Sequence, residues 1–475
     1  MELGQYFKKA PYIRPALNVG CLMDIPTGFY RIGKHGESIL NGGLHRMTGI
    51  VGRGNMYKST LAHFMNLRCF DRYPSAYSLV YDTELTLSMD RLQHLSDQIS
   101  VNAVQLLEED PKFLFTDKSR AIGNVWFDQL KNLVGDRLKG AKGPVVTTPF
   151  IDDTGEPITV YPPILVEADS VSQMNFDVTQ KMFDKHQVGE SGLNAEALKE
   201  QGAKSQMISQ MPQLGARSNM FFILTAHVGD EHTIDAYSPP SRKLSFLKGK
   251  NKIKRAPENF TMLPNNLWYT CKDAVLLNDT TKGPEYPLSK DDNIKGDTDL
   301  MAITIQNLRA KSGPTGTPFK VVVSQRDGVL VGLTEFLYIK ENGRYGLGGH
   351  DKSYYLELVP DINLQRTTVR SKINQYPQIR RALEITSELC QIKNFWRHLD
   401  SDFVKDPKQL YELLKSKGYD WDILLNHTRG YWVCEEDITP KTPYFLSTMD
   451  LLNMCKKEDP YIPWWYDEAV KKLKK

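Results

Sequence analysis

A glycine-containing loop that ends in Lys-Ser-Thr is the part of the sequence best suited to chemistry. The loop reads Gly52-Arg53-Gly54-Asn55-Met56-Tyr57-Lys58-Ser59-Thr60. An apolar entry and apolar residues at helical spacing after it predict a strand, a phosphate loop and a helix. Glycines let backbone N–H groups turn toward phosphates, and the helix directs its positive end at them. We therefore expect a bound polyphosphate, with Lys58 on its terminal phosphates and Ser59 on Mg²⁺.

One position of this loop departs from the usual phosphate-loop pattern. That pattern, G-x-x-x-x-G-K-[ST], has glycine directly before the lysine, whereas this chain has Tyr57. The alternative interpretation is a glycine-rich turn that caps an ordinary helix. Whether this is a phosphate-binding loop or a helix cap depends on the catalytic and metal-binding residues found elsewhere in the chain.

An apolar run at residues 77–84 has the length of a strand and ends in carboxylates. Side chains just beyond the carboxyl end of a strand in an open parallel sheet line the ligand crevice. Glu84 is therefore placed as a general base. Asp82 or Thr83 is alternatively an N-cap for the segment that follows, and both interpretations hold if the cap and the base are different residues.

Two further apolar runs end in polar residues. Residues 162–171 predict a buried strand that ends at Asp169, where a carboxylate emerging beside the phosphate loop would bind Mg²⁺. Residues 220–227 predict a strand that ends at His227. A single histidine is more often structural than functional, but a strand end favours a functional role. Strands of this kind alternating with helices indicate a doubly wound α/β domain.

A basic run follows in a segment with little regular pattern. Its cationic residues are Lys248, Lys250, Lys252, Lys254 and Arg255. Nearby phenylalanines, at 246 and 260, add aromatic side chains. This combination is typical of a loop that follows a nucleic-acid backbone and stacks on bases. The alternative is a solvated charged loop.

Composition excludes several classes of protein. The chain has 475 residues, a net charge of +3 and six cysteines. The cysteines lie far apart without C-x-x-C spacing, so they indicate neither a zinc site nor a disulfide framework. No run of eighteen apolar residues and no signal-peptide pattern occurs, which predicts a cytoplasmic, non-membrane protein. The small net charge means that nucleic-acid binding must depend on local clusters.

Changes in sequence character predict three parts. Residues 1–25 are expected to form an N-terminal arm, and residues 26–350 an α/β core. Residues 351–475 carry amphipathic segments and many aromatic residues, which predict a smaller α-rich C-terminal domain of open role.

Together these elements resemble the RecA/RadA family of recombinases, most closely its phage UvsX type, over roughly residues 20–350. The resemblance depends on the phosphate loop, the Tyr81-Asp82-Thr83-Glu84 strand end, the strand ending at Asp169 and the strand ending at His227, in this order. Phage-type members also carry a bulky aromatic residue at the position of Tyr57. The resemblance implies a RecA-like P-loop NTPase fold that uses ATP and Mg²⁺.

The resemblance also implies roles for individual residues. Glu84 would polarise the attacking water, and Asp169 would support Mg²⁺. His227 would sense the γ-phosphate and signal to the basic run, which would be the second DNA loop. Arg309 and Lys311 resemble the cationic pair that family members extend to a neighbour's ATP. A cation supplied in trans couples hydrolysis to assembly.

The expected activity is that of a DNA-dependent ATPase and recombinase. It would assemble as a helical filament on single-stranded DNA and exchange that strand into a homologous duplex, with single-strand-binding or mediator proteins as possible partners. Two alternatives stay open. One is a hexameric helicase with a RecA core, and the other is a nucleotide-gated DNA-binding assembly factor.

Overall fold

Strands and helices alternate through most of the computed structural model. It describes residues 13–85, 87–97, 99, 112–115, 123–140, 144–177, 193–230, 251–289, 291–292, 294–313, 318–350 and 352–473. The strands of these ranges are β1 (Phe29–Ile32), β2 (Ser38–Asn41), β3 (Met47–Gly52), β4 (Tyr77–Asp82), β5 (Phe113–Phe115), β6 (Val146–Ile151), β7 (Pro157–Val160), β8 (Ile164–Asp169), β9 (Met220–Asp230), β10 (Asn251–Ile253), β11 (Asn266–Val275), β12 (Leu300–Ala310), β13 (Pro318–Ser324), β14 (Gly328–Val329), β15 (Leu347–His350), β16 (Ser353–Leu356), β17 (Val359–Leu364), β18 (Thr428–Arg429) and β19 (Tyr444–Phe445).

The helices cover the faces of the main sheet and make up much of the C-terminal part. They are α1 (Lys58–Arg72), α2 (Met89–Asp97), α3 (Gly123–Lys139), α4 (Leu193–Ser218), α5 (Asn259–Met262), α6 (Val331–Glu341), α7 (Val369–Gln375), α8 (Pro377–Phe395), α9 (Pro407–Ser416), α10 (Trp421–Asn426), α11 (Thr448–Met454) and α12 (Tyr466–Leu473). None of the described helices is long and apolar enough to cross a membrane.

Ten of the described strands form one mostly parallel sheet. Its order is β14-β13-β12-β11-β3-β9-β8-β4-β5, with β10 paired to β9. The strands from β11 to β5 run parallel to one another, whereas β12, β13 and β14 continue the sheet in antiparallel pairing. The helix after β3 leads the chain past two strands to β4. This arrangement confirms the predicted α/β fold with a RecA-like core.

The sequence of the central strands explains why they lie inside. Every residue of β3 and of β8 is buried, as expected for parallel strands covered on both faces. Alternate residues of a strand face opposite sides. Leu165 and Ile223 therefore pack on the α1 side, whereas Val166 and Leu224 pack on the side of α3 and α4.

The C-terminal part builds its own hydrophobic cluster. Helices α6 to α12 supply most of its buried side chains, together with β15 to β17 and the edge of the main sheet. The predicted amphipathic segments near residues 378–389 and 407–417 correspond to α8 and α9. Strands β6 and β7 form an antiparallel hairpin.

The described start of the chain packs on the core and meets the C-terminal part there. Residues 15–19 and 21–27 are buried. The Trp432 indole N–H donates to the Ala16 carbonyl at 3.0 Å, and the Trp432 ring lies 4.8 Å from the Tyr73 ring. The division into residues 1–25, 26–350 and 351–475 stays a prediction.

Candidate nucleotide-binding site

The carboxyl ends of four parallel strands bring the predicted site residues to one edge of the sheet. Gly52 at the end of β3 lies beside His227 in β9, and Asp82 at the end of β4 lies beside Asp169 at the end of β8. Strands β8 and β9 are themselves neighbours. Because ligands of open α/β sheets bind outside the carboxyl ends of the strands, these ends outline one crevice.

The phosphate loop has the predicted form of strand, loop and helix. β3 ends at Gly52, and α1 begins at Lys58. A Cβ at position 52 would lie 2.0 Å from Thr270 Oγ1, so the close approach of β11 requires glycine there. Tyr57 has φ of 55°, in the left-handed region that glycine adopts most readily. An aromatic residue thus takes the conformation of the usual glycine, and its hydroxyl donates to Met301 Sδ at 2.9 Å.

Lys58 points back over the loop. Its ammonium donates to the Arg53 carbonyl at 2.8 Å, and the side chain is largely buried. Burial lowers the pKa of Lys58, while the negative charges of Asp169 and Glu84 act in the opposite direction. The ammonium therefore lies within the electrostatic reach of both carboxylates, as expected for a group that binds terminal phosphates between them.

Asp169 is buried at the end of β8 with one oxygen available. Its Oδ1 accepts a hydrogen bond from the Thr225 hydroxyl, whereas no described residue donates to the buried Oδ2. Burial raises the pKa of Asp169, and the His63, Ser59 and Thr225 side chains lower it. A buried carboxylate oxygen that lacks a partner beside a serine hydroxyl fits Mg²⁺, which prefers hard oxygen ligands. Ser59 and Asp169 are thus suited to bind this ion.

Glu84 lies beyond the end of β4 and is fixed by two neighbours. Its Oε1 accepts a hydrogen bond from Ser170 Oγ at 2.8 Å and lies 2.6 Å from His227 Nε2. The Thr83 hydroxyl donates to the carbonyls of Asp169 and Ser170 at 3.0 and 3.1 Å. The carboxylate of Glu84 is thereby attached to the ends of both β8 and β9.

Asp82 stabilises a turn and is not the helix cap that was the alternative interpretation. Its Oδ1 accepts the backbone N–H groups of Glu84 and Leu85 at 3.0 and 2.9 Å, and its Oδ2 accepts that of Leu87 at 3.0 Å. α2 begins only at Met89, so Asp82 stabilises the preceding turn rather than the helix end. The Ser88 hydroxyl, which accepts Arg91 N–H at 3.1 Å, makes the capping hydrogen bond of α2, so the interpretation of Asp82 or Thr83 as its N-cap is wrong.

The end of the predicted DNA loop adjoins His227. β10 pairs antiparallel with the end of β9, and Lys254 N–H donates to the His227 carbonyl at 2.7 Å. Ser172 connects the same elements, because its hydroxyl accepts His227 N–H at 2.9 Å and donates to the Lys254 carbonyl at 2.8 Å. Lys252 and Lys254 are exposed. Lys248 and Lys250 lie outside the described residues.

Arg255 is exposed but shares a carboxylate with a buried lysine. Arg255 Nη2 lies 3.5 Å from Glu200 Oε1, and Lys204 Nζ lies 2.7 Å from the same oxygen. Lys204 also donates to the Arg255 carbonyl at 3.3 Å. Lys204 and Glu200 belong to α4, so this cluster attaches the end of the basic run to that helix.

The structure does not bring Arg309 and Lys311 to the phosphate loop. Arg309 lies opposite Leu267, which lies beside Gly49 in β3. Lys311 N–H donates to the Asn265 carbonyl, level with the start of β3. At about 3.3 Å per residue, the two cations are separated from the end of β3 by roughly 10–17 Å along the strand. Within one chain they lie level with the first half of β3, away from the crevice.

Several polar residues of the site escaped the sequence analysis. Ser170, Ser172 and Thr225 orient the predicted residues, but serine and threonine near strand ends are too common to stand out. Glu167 could have been found from the sequence, because a charged residue interrupts the apolar strand two positions before Asp169. It lies 2.5 Å from His63 Nδ1 of α1, and both side chains are buried.

Comparisons with known proteins add little to this geometry. No protein-family model matches the sequence, and no curated protein matches it. Among solved structures, the chain is similar to a crystal structure of the RadB recombinase, with 15% sequence identity and a TM-score of 0.32 over 61% of this chain and 92% of that chain. A likeness at this TM-score carries no argument about activity, and the RecA-like fold class is carried by the strand order and the phosphate loop.

Proposed function

We propose that this protein is an ATP-dependent DNA recombinase of the RecA/RadA kind, nearest to the phage UvsX type. It assembles as a helical filament on single-stranded DNA and promotes pairing and strand exchange with a homologous duplex. One observation carries the proposal. Glu84 is oriented by Ser170 and His227 beside Lys58, and the His227 backbone is bonded to Lys254 at the end of the basic run.

In this proposal the residues of the crevice divide the work of phosphoryl transfer to water. Lys58 and the N–H groups at the start of α1 bind the terminal phosphates and offset the charge that develops there. Glu84 aligns the attacking water and accepts its proton. Hydrogen bonds from Ser170 and His227 converge on Oε1, and Oε2 contacts that water. Ser59 and Asp169 would hold Mg²⁺, which would neutralise phosphate charge.

The contact between Glu84 and His227 offers a route from the nucleotide to DNA. A γ-phosphate or its loss changes the surroundings of Glu84, and His227 moves with it. Lys254 and Ser172 are bonded to the backbone of His227, so a shift there changes the end of the basic run. DNA bound to that run acts on Glu84 through the same bonds, because coupling between two sites is reciprocal.

The distance between Arg309 and the phosphate loop favours action between subunits. A cationic pair this far from its own phosphate loop contributes to hydrolysis when a neighbouring copy presents it. Such a contact joins different surfaces of two copies, and repetition gives either a closed ring or an open helical filament.

Electron microscopy and a strand-exchange assay test the proposal. The protein is mixed with circular single-stranded DNA and a slowly hydrolysed ATP analogue, imaged by negative stain, and then given a homologous linear duplex. We expect open helical filaments that form joint molecules, and neither filaments nor joint molecules with Lys58→Ala. Closed rings that unwind a duplex would instead indicate a helicase, and filaments without joint molecules would indicate a nucleotide-gated assembly factor.

A further inference from the structure

A deep groove lies far along the chain from the nucleotide crevice, between the core and the C-terminal part. Its volume is about 830 Å³. The turn between β1 and β2 and the ends of β6 and β7 form the core side, whereas residues 426–445 and 461–473 form the opposite side. Pockets of this size commonly occur where two parts of a protein meet. None of the residues predicted for nucleotide or DNA binding lines this groove.

The walls of the groove are fixed before any partner binds. The Glu436 carboxylate accepts the N–H and hydroxyl of Thr147 at 2.8 and 2.9 Å, which ties one wall to β6. The Trp465 indole donates to the Phe445 carbonyl at 3.0 Å, and its ring stacks on Tyr444 with centroids 4.6 Å apart. Because these contacts already order the walls, little conformational entropy is lost when a partner binds.

The lining is apolar and partly open to solvent. Trp464 and Ile438 line the groove, and solvent reaches 62% and 55% of their surfaces. Pro440, Pro443 and Pro149 add further apolar surface. Contiguous exposed apolar surface of this kind marks a binding site more often than an isolated exposed side chain does.

Exposed lysines give the groove a positive rim. Lys34 lies on the core side, and Lys441 and Lys472 lie on the C-terminal side. The Lys472 ammonium is 2.7 Å from Glu468 Oε1. Because both side chains are exposed, this ion pair is weak, and a carboxylate of the partner can replace Glu468 at little cost in free energy. Apolar walls with a cationic rim are complementary to an anionic partner that also carries a bulky apolar group.

We propose that this groove binds a short acidic segment of a partner protein through a bulky apolar anchor residue. The anchor packs against Trp464 and Ile438, and carboxylates on either side of it pair with Lys34 and Lys441. The inference does not depend on the proposed recombinase activity.

The lining favours a peptide over a nucleic acid. Stacked bases need free aromatic faces, whereas Trp465 is buried against Tyr444 and the Trp464 ring lies 4.8 Å from that of His35. Two carboxylates, Glu37 and Glu435, also line the groove and would repel a continuous row of phosphates. The carboxylates of a peptide are separate from one another, so they can pair with the lysines and still lie away from Glu37 and Glu435.

Fluorescence anisotropy with labelled peptides tests the proposal on the full chain. The probes are short peptides in which aspartates flank a single Trp, Phe, Leu or Ile. Matched peptides carry Ala in place of the anchor or Ser in place of the aspartates. We expect at least one acidic anchored peptide to bind more tightly than about 100 μM, and both matched peptides to bind at least about tenfold more weakly.

Substitutions on the rim and the floor locate the binding. Lys34→Glu with Lys441→Glu, and separately Trp464→Ala, should each weaken peptide binding at least about tenfold. Lys408→Glu, an exposed charge reversal on α9 away from the groove, should leave it unchanged. All three variants should retain the circular dichroism and the ATP hydrolysis rate of the unmodified chain, because these side chains are exposed.

Two results would overturn the proposal. One is that none of the anchored acidic peptides binds, or that binding ignores both groove variants. The other is that oligo-dT binds with the same sensitivity to Lys34→Glu/Lys441→Glu and Trp464→Ala while the peptides do not, which would make the groove a nucleic-acid site.

Discussion

Glu84 shows how the site depends on residues that have no catalytic signature of their own. Its Oε1 takes hydrogen bonds from Ser170 and His227, which set the direction of the carboxylate. A base whose orientation is free spends only part of its time aligned with the water that it activates. In the proposed mechanism the serine is therefore a positioning residue, and the Glu84 carboxylate is the group that contacts the reacting atoms.

Removal of the Ser170 hydroxyl should slow hydrolysis and leave nucleotide binding intact. We expect Ser170→Ala to lower kcat about tenfold, whereas Glu84→Gln should lower it by about a hundredfold or more because it removes the base. Steady-state ATP hydrolysis and binding of a fluorescent ATP analogue measure the two effects. Ser401→Ala, at an exposed turn, is the control. Equal losses in Ser170→Ala and Glu84→Gln would contradict a positioning role.

The buried pair of His63 and Glu167 makes a pH-dependent contribution to stability. Burial by itself lowers the pKa of His63, but Glu167, with smaller contributions from the charges of Asp169 and Asp82, outweighs it and leaves that pKa above its ordinary value. The pair therefore contributes fully below the unfolded-state pKa of about 6.5 and less as pH rises through the raised pKa.

Glu167→Gln tests this contribution. The variant should lose about 1–3 kcal/mol of unfolding free energy at pH 6 and less at pH 9, because the charged pair weakens as pH rises. Urea denaturation at the two pH values measures the difference. His94→Gln, at an exposed position of α2, should change stability little at either pH. A loss from Glu167→Gln that is equal at pH 6 and pH 9 would exclude the charged pair.

At the scale of elements, sequence patterns were enough to predict the strands but not how they join. Apolar runs ending at Asp82, Asp169 and His227 gave the three strands and their common edge, because buried parallel strands have a simple pattern. The bonds of Thr225 to Asp169 and of Ser172 to Lys254 depend on which strands are neighbours. That order is set by packing over the whole sheet, which no local window contains.

The hydrogen bonds that connect β8, β9 and β10 should transmit the response to DNA. Ser172→Ala removes a hydroxyl that bonds both His227 N–H and the Lys254 carbonyl. We expect faster amide hydrogen exchange at residues 251–255 and an unchanged ATP hydrolysis rate without DNA, because Glu84 keeps its own contacts. Stimulation of hydrolysis by single-stranded DNA should fall severalfold.

Two measurements distinguish a local effect on residues 251–255 from an effect on the whole molecule. Hydrogen exchange followed by mass spectrometry reports on residues 251–255, and an ATP hydrolysis assay with and without DNA reports on coupling. Ser401→Ala, at an exposed turn, serves as the matched substitution away from these strands. Unchanged exchange at 251–255 would show that Ser172 does not hold this segment.

At the scale of the whole molecule, the C-terminal part and the core share a buried acidic cluster. Glu335 of α6 is buried near Glu384 and Glu388 of α8, and the arginines 68 and 72 of α1 face the same cluster. Burial first, and then the two neighbouring carboxylates, raise the pKa of Glu335 well above its ordinary value, against the opposing effect of the arginines. The sequence could not predict this cluster, because it joins segments more than 300 residues apart.

Glu335→Gln should make the protein more stable at alkaline pH. The folded state binds the Glu335 proton more tightly than the unfolded chain, so stability falls as pH rises above about 4.5 toward the raised pKa. We expect the variant to gain about 1 kcal/mol or more at pH 8 and nothing near pH 4.5. Thermal denaturation across this range measures the gain.

A matched change at an exposed glutamate controls for net charge. Glu412→Gln, on the exposed face of α9, removes the same charge without a buried environment. It should leave the pH dependence of stability unchanged. A gain from Glu335→Gln that is the same at pH 4.5 and pH 8 would mean that the proton on Glu335 does not contribute.

The rate of ATP hydrolysis as single-stranded DNA is added would test the proposed function first. We expect strong stimulation by DNA in the unmodified chain. We expect this stimulation to be lost in Lys58→Ala, which lacks the ammonium for the terminal phosphates, and in Glu84→Gln, which lacks the base. Hydrolysis that does not respond to DNA, or that persists in Glu84→Gln, would exclude a DNA-dependent ATPase of this mechanism.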